Sequence, residues 1–155
     1  MTWVFATDEL PGHATICMSA EFVDTNIFVY GHDSSSPRKQ QISIQLIDRL
    51  SAARSGRLST QVLLEFFSAM TRKLKLRPAI AVEILGDLTT WLVYAPSSED
   101  VLEAARMSAK HSISIWDALI VQSALGSRCT TLWSEDLQHG RQFQTVVVRN
   151  PFLPE

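Results

Sequence analysis

Along the chain, short apolar runs alternate with longer stretches in which apolar residues return every three or four positions. From Glu21 the pair Phe22-Val23 suits a buried strand and stops at Asp24-Thr25-Asn26, residue types that favour turns and caps. Past the polar stretch 33–37, Ile42, Leu46, Ile47 and Leu50 predict an amphipathic helix over residues 38–54, which Gly56 ends. Leu58 belongs to a very short strand, and Ser59 or Thr60 caps a helix with Leu63, Phe66, Phe67, Met70 and Leu74 on its apolar side. Pro78 fits the first turn of the next helix, which carries Ile80, Val82, Ile84, Leu85 and Leu88. Residues 91–94 read as a brief strand stopped by Pro96, after which Ser97 or Ser98 caps a helix running to about Lys110. Ser114 opens a helix over 115–125 that Gly126 closes, and residues 130–133 and 145–148 are short apolar strands joined by a polar loop.

Strands alternating with helices, without an internal repeat, predict an α/β domain whose parallel sheet is covered on both faces. In such sheets ligands gather at the carboxyl ends of the strands, which points to Asp24 and to Ser134-Glu135-Asp136. A chain of 155 residues, 46% of them apolar, buries one good core and is too short for two ordinary domains. That domain is expected over residues 20–155. Residues 1–19 show neither period and contain Pro11 and Gly12, so a disordered leader is expected, with Met18 rather than Met1 as the physiological start.

A net charge of -2 and a pI near 6.1 remove any global electrostatic case for nucleic-acid binding, which must then rest on local patches and a metal. Cys17 and Cys129 form neither a metal motif nor a disulfide framework, which suits a reducing compartment. No apolar run approaches the roughly 20 residues that span a bilayer, and the first residues lack a basic secretory n-region. A cytoplasmic protein without membrane contact is expected.

Four acids stand at element ends or among apolar residues: Asp24, Glu65, Asp117 and Asp136. Taken singly, each reads first as a structural residue. Asp24 suits a turn with Thr25 and Asn26; Asp117, three residues after Ser114, matches a capping box; Asp136 suits the cap of a one-turn helix toward Gly140; Glu65 fits the polar edge of its helix. Taken together they form an all-oxygen set suited to a hard divalent cation, and the lack of clustered His and Cys disfavours zinc.

The segments that carry these acids resemble, in order and spacing, the four motifs of the PIN domain family. Phe22-Val23-Asp24-Thr25-Asn26 is similar to the first, Ser59-Thr60-Gln61-Val62-Leu63-Leu64-Glu65-Phe66 to the second, Ile115-Trp116-Asp117-Ala118-Leu119-Ile120 to the third and Leu132-Trp133-Ser134-Glu135-Asp136-Leu137-Gln138-His139-Gly140 to the last. The resemblance covers residues 21 to 148, and within the family the chain looks most like the VapC toxins of toxin-antitoxin pairs. It implies a three-layer α/β/α domain with a short central parallel sheet and a Mg2+- or Mn2+-dependent endoribonuclease site. Asp24, Glu65, Asp117 and Asp136 are then the catalytic metal ligands, and Asn26 and Ser134 line the site. It also implies an RNA substrate, a cognate antitoxin and a homodimer. A DNA nuclease and a non-catalytic protein-binding module on the same scaffold remain open as alternatives.

An acidic site needs cations nearby to hold a polynucleotide, and Arg72, Lys73, Lys75 and Arg77 form the densest basic run. Read alone, that run fits solvated cations at a helix C-terminus better than phosphate contacts. Trp116 and Trp133 are expected in the core rather than stacked on a base. His13, His32, His111 and His139 form no triad-like arrangement, and His139 reads as a loop residue.

Overall fold

The computed structural model describes residues 19–154. The expected leader, with Cys17 and the alternative start Met18, lies outside the described residues apart from Ser19. Twelve elements follow: β1 (Glu21–Val23), α1 (Thr25–Gly31), α2 (Pro37–Ala52), β2 (Gly56–Ser59), α3 (Thr60–Arg72), α4 (Pro78–Leu88), β3 (Leu92–Tyr94), α5 (Ser98–His111), α6 (Ile115–Gly126), β4 (Thr131–Trp133), β5 (Gln142–Phe143) and β6 (Val146–Arg149). They form one sheet of order β3-β2-β1-β4-β6-β5, parallel throughout except for the pairing of β5 with β6.

Right-handed crossovers dictate the layers. The chain moves outward from β1 through β2 to β3 with α1 to α4 as its connections, then returns through α5 and α6 to β4 on the other side of β1. The two sets of helices therefore cover opposite faces, and packing agrees: α1 touches α2 and α3, α3 touches α4, and α5 packs on α6. The direction of travel reverses between β1 and β4, and at that switch point the carboxyl ends of adjacent parallel strands part to leave a crevice.

The core follows from the apolar periodicities. Val62, Phe66 and Met70 recur every fourth position along α3 and are fully buried with Leu58 of β2 and Phe22 of β1. Gly56 opens β2 where a Cβ would run into the Trp91 ring, so the strand start tolerates only a hydrogen there. No helix among the described residues is long and apolar enough to cross a membrane.

The elements depart from the periodic reading in several places. The first long helix begins one residue earlier than expected, at Pro37, whose fixed φ suits a first helical turn, and ends at Ala52. Helix α1 has no counterpart in the reading: its buried residues Ile27, Phe28 and Val29 are consecutive, and seven residues are too few to display a helical period. Strand β3 starts at Leu92, β4 at Thr131 and β6 at Val146, each one residue inside the expected bounds at its start, and the two-residue β5 lies within the expected polar loop. No helix forms between Asp136 and Gly140.

Candidate metal centre

The site begins with two strand ends. Asp24 follows β1 directly, its N–H donating to the Trp133 carbonyl at the end of β4 (3.0 Å), and Ser134 follows β4, its N–H donating to the Arg149 carbonyl (3.0 Å). The sheet ladder thus delivers Asp24 and Ser134 side by side, and the Ser134 hydroxyl donates to Asp24 Oδ2 at 2.7 Å. Asp24 is also the N-cap of α1: its Oδ1 accepts from the Thr25 N–H at 2.7 Å.

The first turn of α1 then ties in the other acids. Asn26 Nδ2 donates to Asp24 Oδ2 (3.3 Å) and to Asp136 Oδ2 (3.0 Å), spanning two carboxylates with one amide nitrogen. The Thr25 hydroxyl donates to Glu65 Oε2 at 3.0 Å, and Gln61 Nε2, one turn earlier on α3, donates to Glu65 Oε1 at 2.8 Å. Asp136 is fixed on its backbone side, its N–H donating to the Ser134 hydroxyl at 3.1 Å. Three of the four predicted acids, from β1, α3 and the loop after β4, are therefore joined through Thr25, Asn26 and Ser134.

Asp117 stands apart from this network. Its Oδ2 accepts from the Ser114 hydroxyl (2.7 Å) and its N–H donates to the same hydroxyl (3.0 Å), so Ser114 is the N-cap of α6. The expected capping box is incomplete, because Asp117 accepts from the serine side chain and not from its backbone N–H; the complete box belongs to Ser97 and Asp100 at the start of α5. Among the described residues, Asp117 is linked to the other acids only indirectly, through the carbonyl of its neighbour Trp116, which accepts from Gln61 Nε2 at 3.1 Å.

Electrostatics single out Asp24. At 5% exposure, its carboxyl is pushed up to about 7 by burial, while hydrogen bonds from Ser134 and Thr25 pull downward and the charges of Asp136 and Glu65 add to the rise. A buried carboxyl facing two further carboxyls is costly to ionise without a cation. Among the described residues no three His, Cys, Asp or Glu side chains are close enough to enclose an ion by themselves. The fit to Mg2+ or Mn2+ therefore rests on the donor chemistry, carboxylate oxygens of Asp24, Glu65 and Asp136 joined through Thr25, Asn26 and Ser134, since these ions take one or two carboxylates and complete their shell with water and substrate phosphate.

Trp116 is 66% exposed, not core: it lies in the first turn of α6, ahead of the buried run of Ala118, Ile120 and Val121. Trp133 is half-buried, and its indole N–H donates to Glu21 at 2.6 Å. Thr25 and Gln61 were absent from the expected site. Thr25 directly follows Asp24, and Gln61 precedes Glu65 by four residues, the spacing at which helical side chains meet, so both signals lay in the motifs themselves. His139 is an exposed loop residue whose Nδ1 accepts from the Asn150 N–H.

Of the basic run, Arg72, Lys73, Lys75 and Arg77 are all exposed. Lys73 lies 5.9 Å from the Tyr30 ring centroid, and its charge helps hold Glu135 ionised, whereas Arg72, Lys75 and Arg77 make no ion pair among the described residues. Lys39, from α2, donates to both Glu135 and Tyr30. Burial would raise the Glu135 carboxyl, but these bonds keep it below the usual range, so a charged Lys39–Glu135 pair borders Asp136.

A family model described as PIN domain matches residues 22–142, a span that contains all four acids. Among solved structures, the fold is similar to the sarcin-ricin loop cleaving toxin VapC20 of Mycobacterium tuberculosis, with 19% identity, a TM-score of 0.60, and 76% of this chain and 92% of that one covered. It is similar to a toxin-antitoxin complex from Klebsiella pneumoniae, with 16% identity, a TM-score of 0.61, and 85% and 98% covered. DNA-bound VapBC from Salmonella typhimurium gives 15% identity, a TM-score of 0.62, and 86% and 99% covered. No curated protein matches the chain in sequence.

Proposed function

The chain belongs to the PIN domain family, and from that premise we propose that it is a metal-dependent endoribonuclease, the toxin of a toxin-antitoxin pair. One observation carries the reading: a buried aspartate at the end of β1 is joined by hydrogen bonds to acids from α3 and from the loop after β4, across the switch point of the sheet. The solved structures with the same fold include a toxin and two complexes with their partners. They support an RNA substrate and a cognate antitoxin, and a homodimer accompanies the same assignment.

In this reading Asp24, Glu65, Asp117 and Asp136 would hold Mg2+ or Mn2+ between them, one or two directly and the others through water. When bound, the cation would supply positive charge for the phosphate and lower the pKa of water, so that no histidine base would be required. Thr25, Asn26, Ser134 and Gln61 orient the carboxylates by donating to them, leaving acceptor lone pairs for the cation. Lys39 and Lys73, at the Glu135 side of the site, together with Arg72, Lys75 and Arg77, are the cations available to RNA phosphates.

The test is cleavage of a mixed structured RNA pool, with matched DNA, by the full chain in Mg2+, Mn2+ or EDTA. Wild type is expected to cut RNA only with metal, and Asp24→Asn and Asp117→Asn to lose at least a hundredfold in rate, the scale on which loss of an electrostatic catalytic group acts. Equal activity in all three proteins would place the chemistry elsewhere. Preference for DNA would transfer the assignment to a DNA nuclease, and no cleavage by any protein would favour a binding module.

A further inference from the structure

Gln61 lies in the first turn of α3, only 8% exposed, and none of its polar surroundings is explained by packing alone. Its Nε2 has two hydrogens and two acceptors: Glu65 Oε1 at 2.8 Å within α3, and the Trp116 carbonyl at 3.1 Å in the first turn of α6. The amide orientation is set by this pair, because the reversed amide would place oxygen against a carboxylate and a carbonyl. The consequence is an orphan: Gln61 Oε1 is buried and has no hydrogen-bond partner among the described residues. A side chain selected for packing would not leave an acceptor in that state, since methionine fills the same space with no polar atom to strand.

We propose that Gln61 is a positioning residue of the metal centre, its amide nitrogen fixing the Glu65 carboxylate and tethering it to the turn of α6 that carries Asp117. The inference rests on the metal-dependent reading above. Glu65 is then gripped at both oxygens, Oε2 by Thr25 and Oε1 by Gln61, and among the described residues the Gln61 tether is the one hydrogen-bonded route from the joined acids to the neighbourhood of Asp117. Groups that orient metal-binding carboxylates commonly influence metal affinity by about ten- to a hundredfold.

The experiment is titration of the metal-free full chain with Mn2+ by calorimetry, alongside thermal melting without metal, for wild type, Gln61→Met, Glu65→Gln and the double variant. Gln61→Met is expected to bind Mn2+ about tenfold more weakly while melting at or above the wild-type temperature. Added to Glu65→Gln, it should weaken binding no further, because the carboxylate it positions is gone. Unchanged Mn2+ affinity in Gln61→Met, or an equal additional loss in the Glu65→Gln background, would overturn the positioning role and leave the metal reading intact. Absence of Mn2+ binding by wild type would overturn both. Should Gln61→Met fail to fold, Gln61→Glu keeps the length but presents an acceptor to Glu65; weaker Mn2+ binding supports the proposal, and equal or tighter binding overturns it.

Discussion

Asp24 caps a helix and faces two other carboxyls from a nearly dry position, and these demands conflict over its proton. With a folded pKa of about 7 and an unfolded value near 4, the folded chain holds a proton that the unfolded chain has released. Stability of the metal-free protein should therefore fall as pH rises from about 4 to 7 and level off above. Glu135 and Asp100, whose carboxyls sit below their ordinary range, act with the opposite sign, but their contributions are lost only as pH drops through the acid region beneath that window. Melting from pH 5 to 8 in EDTA is expected to show a loss of several degrees in wild type and a nearly flat line in Asp24→Asn. A cation must displace the same proton, so Mn2+ affinity should rise about tenfold per pH unit below pH 7 and flatten above it. A flat wild-type melting profile would mean that Asp24 ionises as easily folded as unfolded.

Among the elements, α5 and α6 pack along each other and are bridged at one point by a single carboxylate. Asp100 accepts from the Ser97 N–H and the Tyr94 hydroxyl, both at 2.8 Å, and from Gln122 at 3.2 Å, so the end of β3, the start of α5 and the middle of α6 meet on one side chain. Ser97→Ala removes one half of this capping box and should cost about 1 kcal/mol in urea unfolding; an unchanged midpoint would mean that the bonds from Tyr94 and Gln122 hold Asp100 and α5 unaided. Such caps were readable from sequence, since Ser59, Ser97 and Ser114 each precede a run of helical period and each proves to be the N-cap. Helix α1 was not readable, because a short helix buried on successive residues looks like a strand, and neither was β5, whose existence depends on β6 rather than on its own two residues. At the proposed site, Asp24, Glu65, Asp117 and Asp136 are singled out by motif resemblance alone; their individual settings favour caps or turns for the three aspartates and a polar helix edge for Glu65. The closeness of Thr25 to Asp24 and of Gln61 to Glu65 is legible in the motifs, whereas the bonds from Thr25 to Glu65 and from Gln61 to the Trp116 carbonyl span 40 and 55 residues, which no local pattern records.

At the scale of the whole molecule, the net charge of -2 and an acidic crevice mean that the chain does not attract RNA by its overall field. Activity in a cell then reports on the assembled site. Expression of the chain alone should arrest growth of a bacterial host, whereas Asp24→Asn at the same soluble level should not; normal growth with wild type would count against a toxin while leaving a nuclease possible. The neighbouring strands at the switch point add a constraint in time. β1 ends at Val23 and its partner β4 begins at Thr131, and the bonds from Ser134 to Asp24 and from Asn26 to Asp136 each close a loop of 110 residues. Contacts so distant along the chain form late, after the entropy of closing the loop has been met. During synthesis, the chain can form its helices through α6 while Asp24 still lacks Ser134 and Asp136, which follow β4. A translation product that stops before β4 lacks both partners of Asp24 and, under the function proposed above, could not cut.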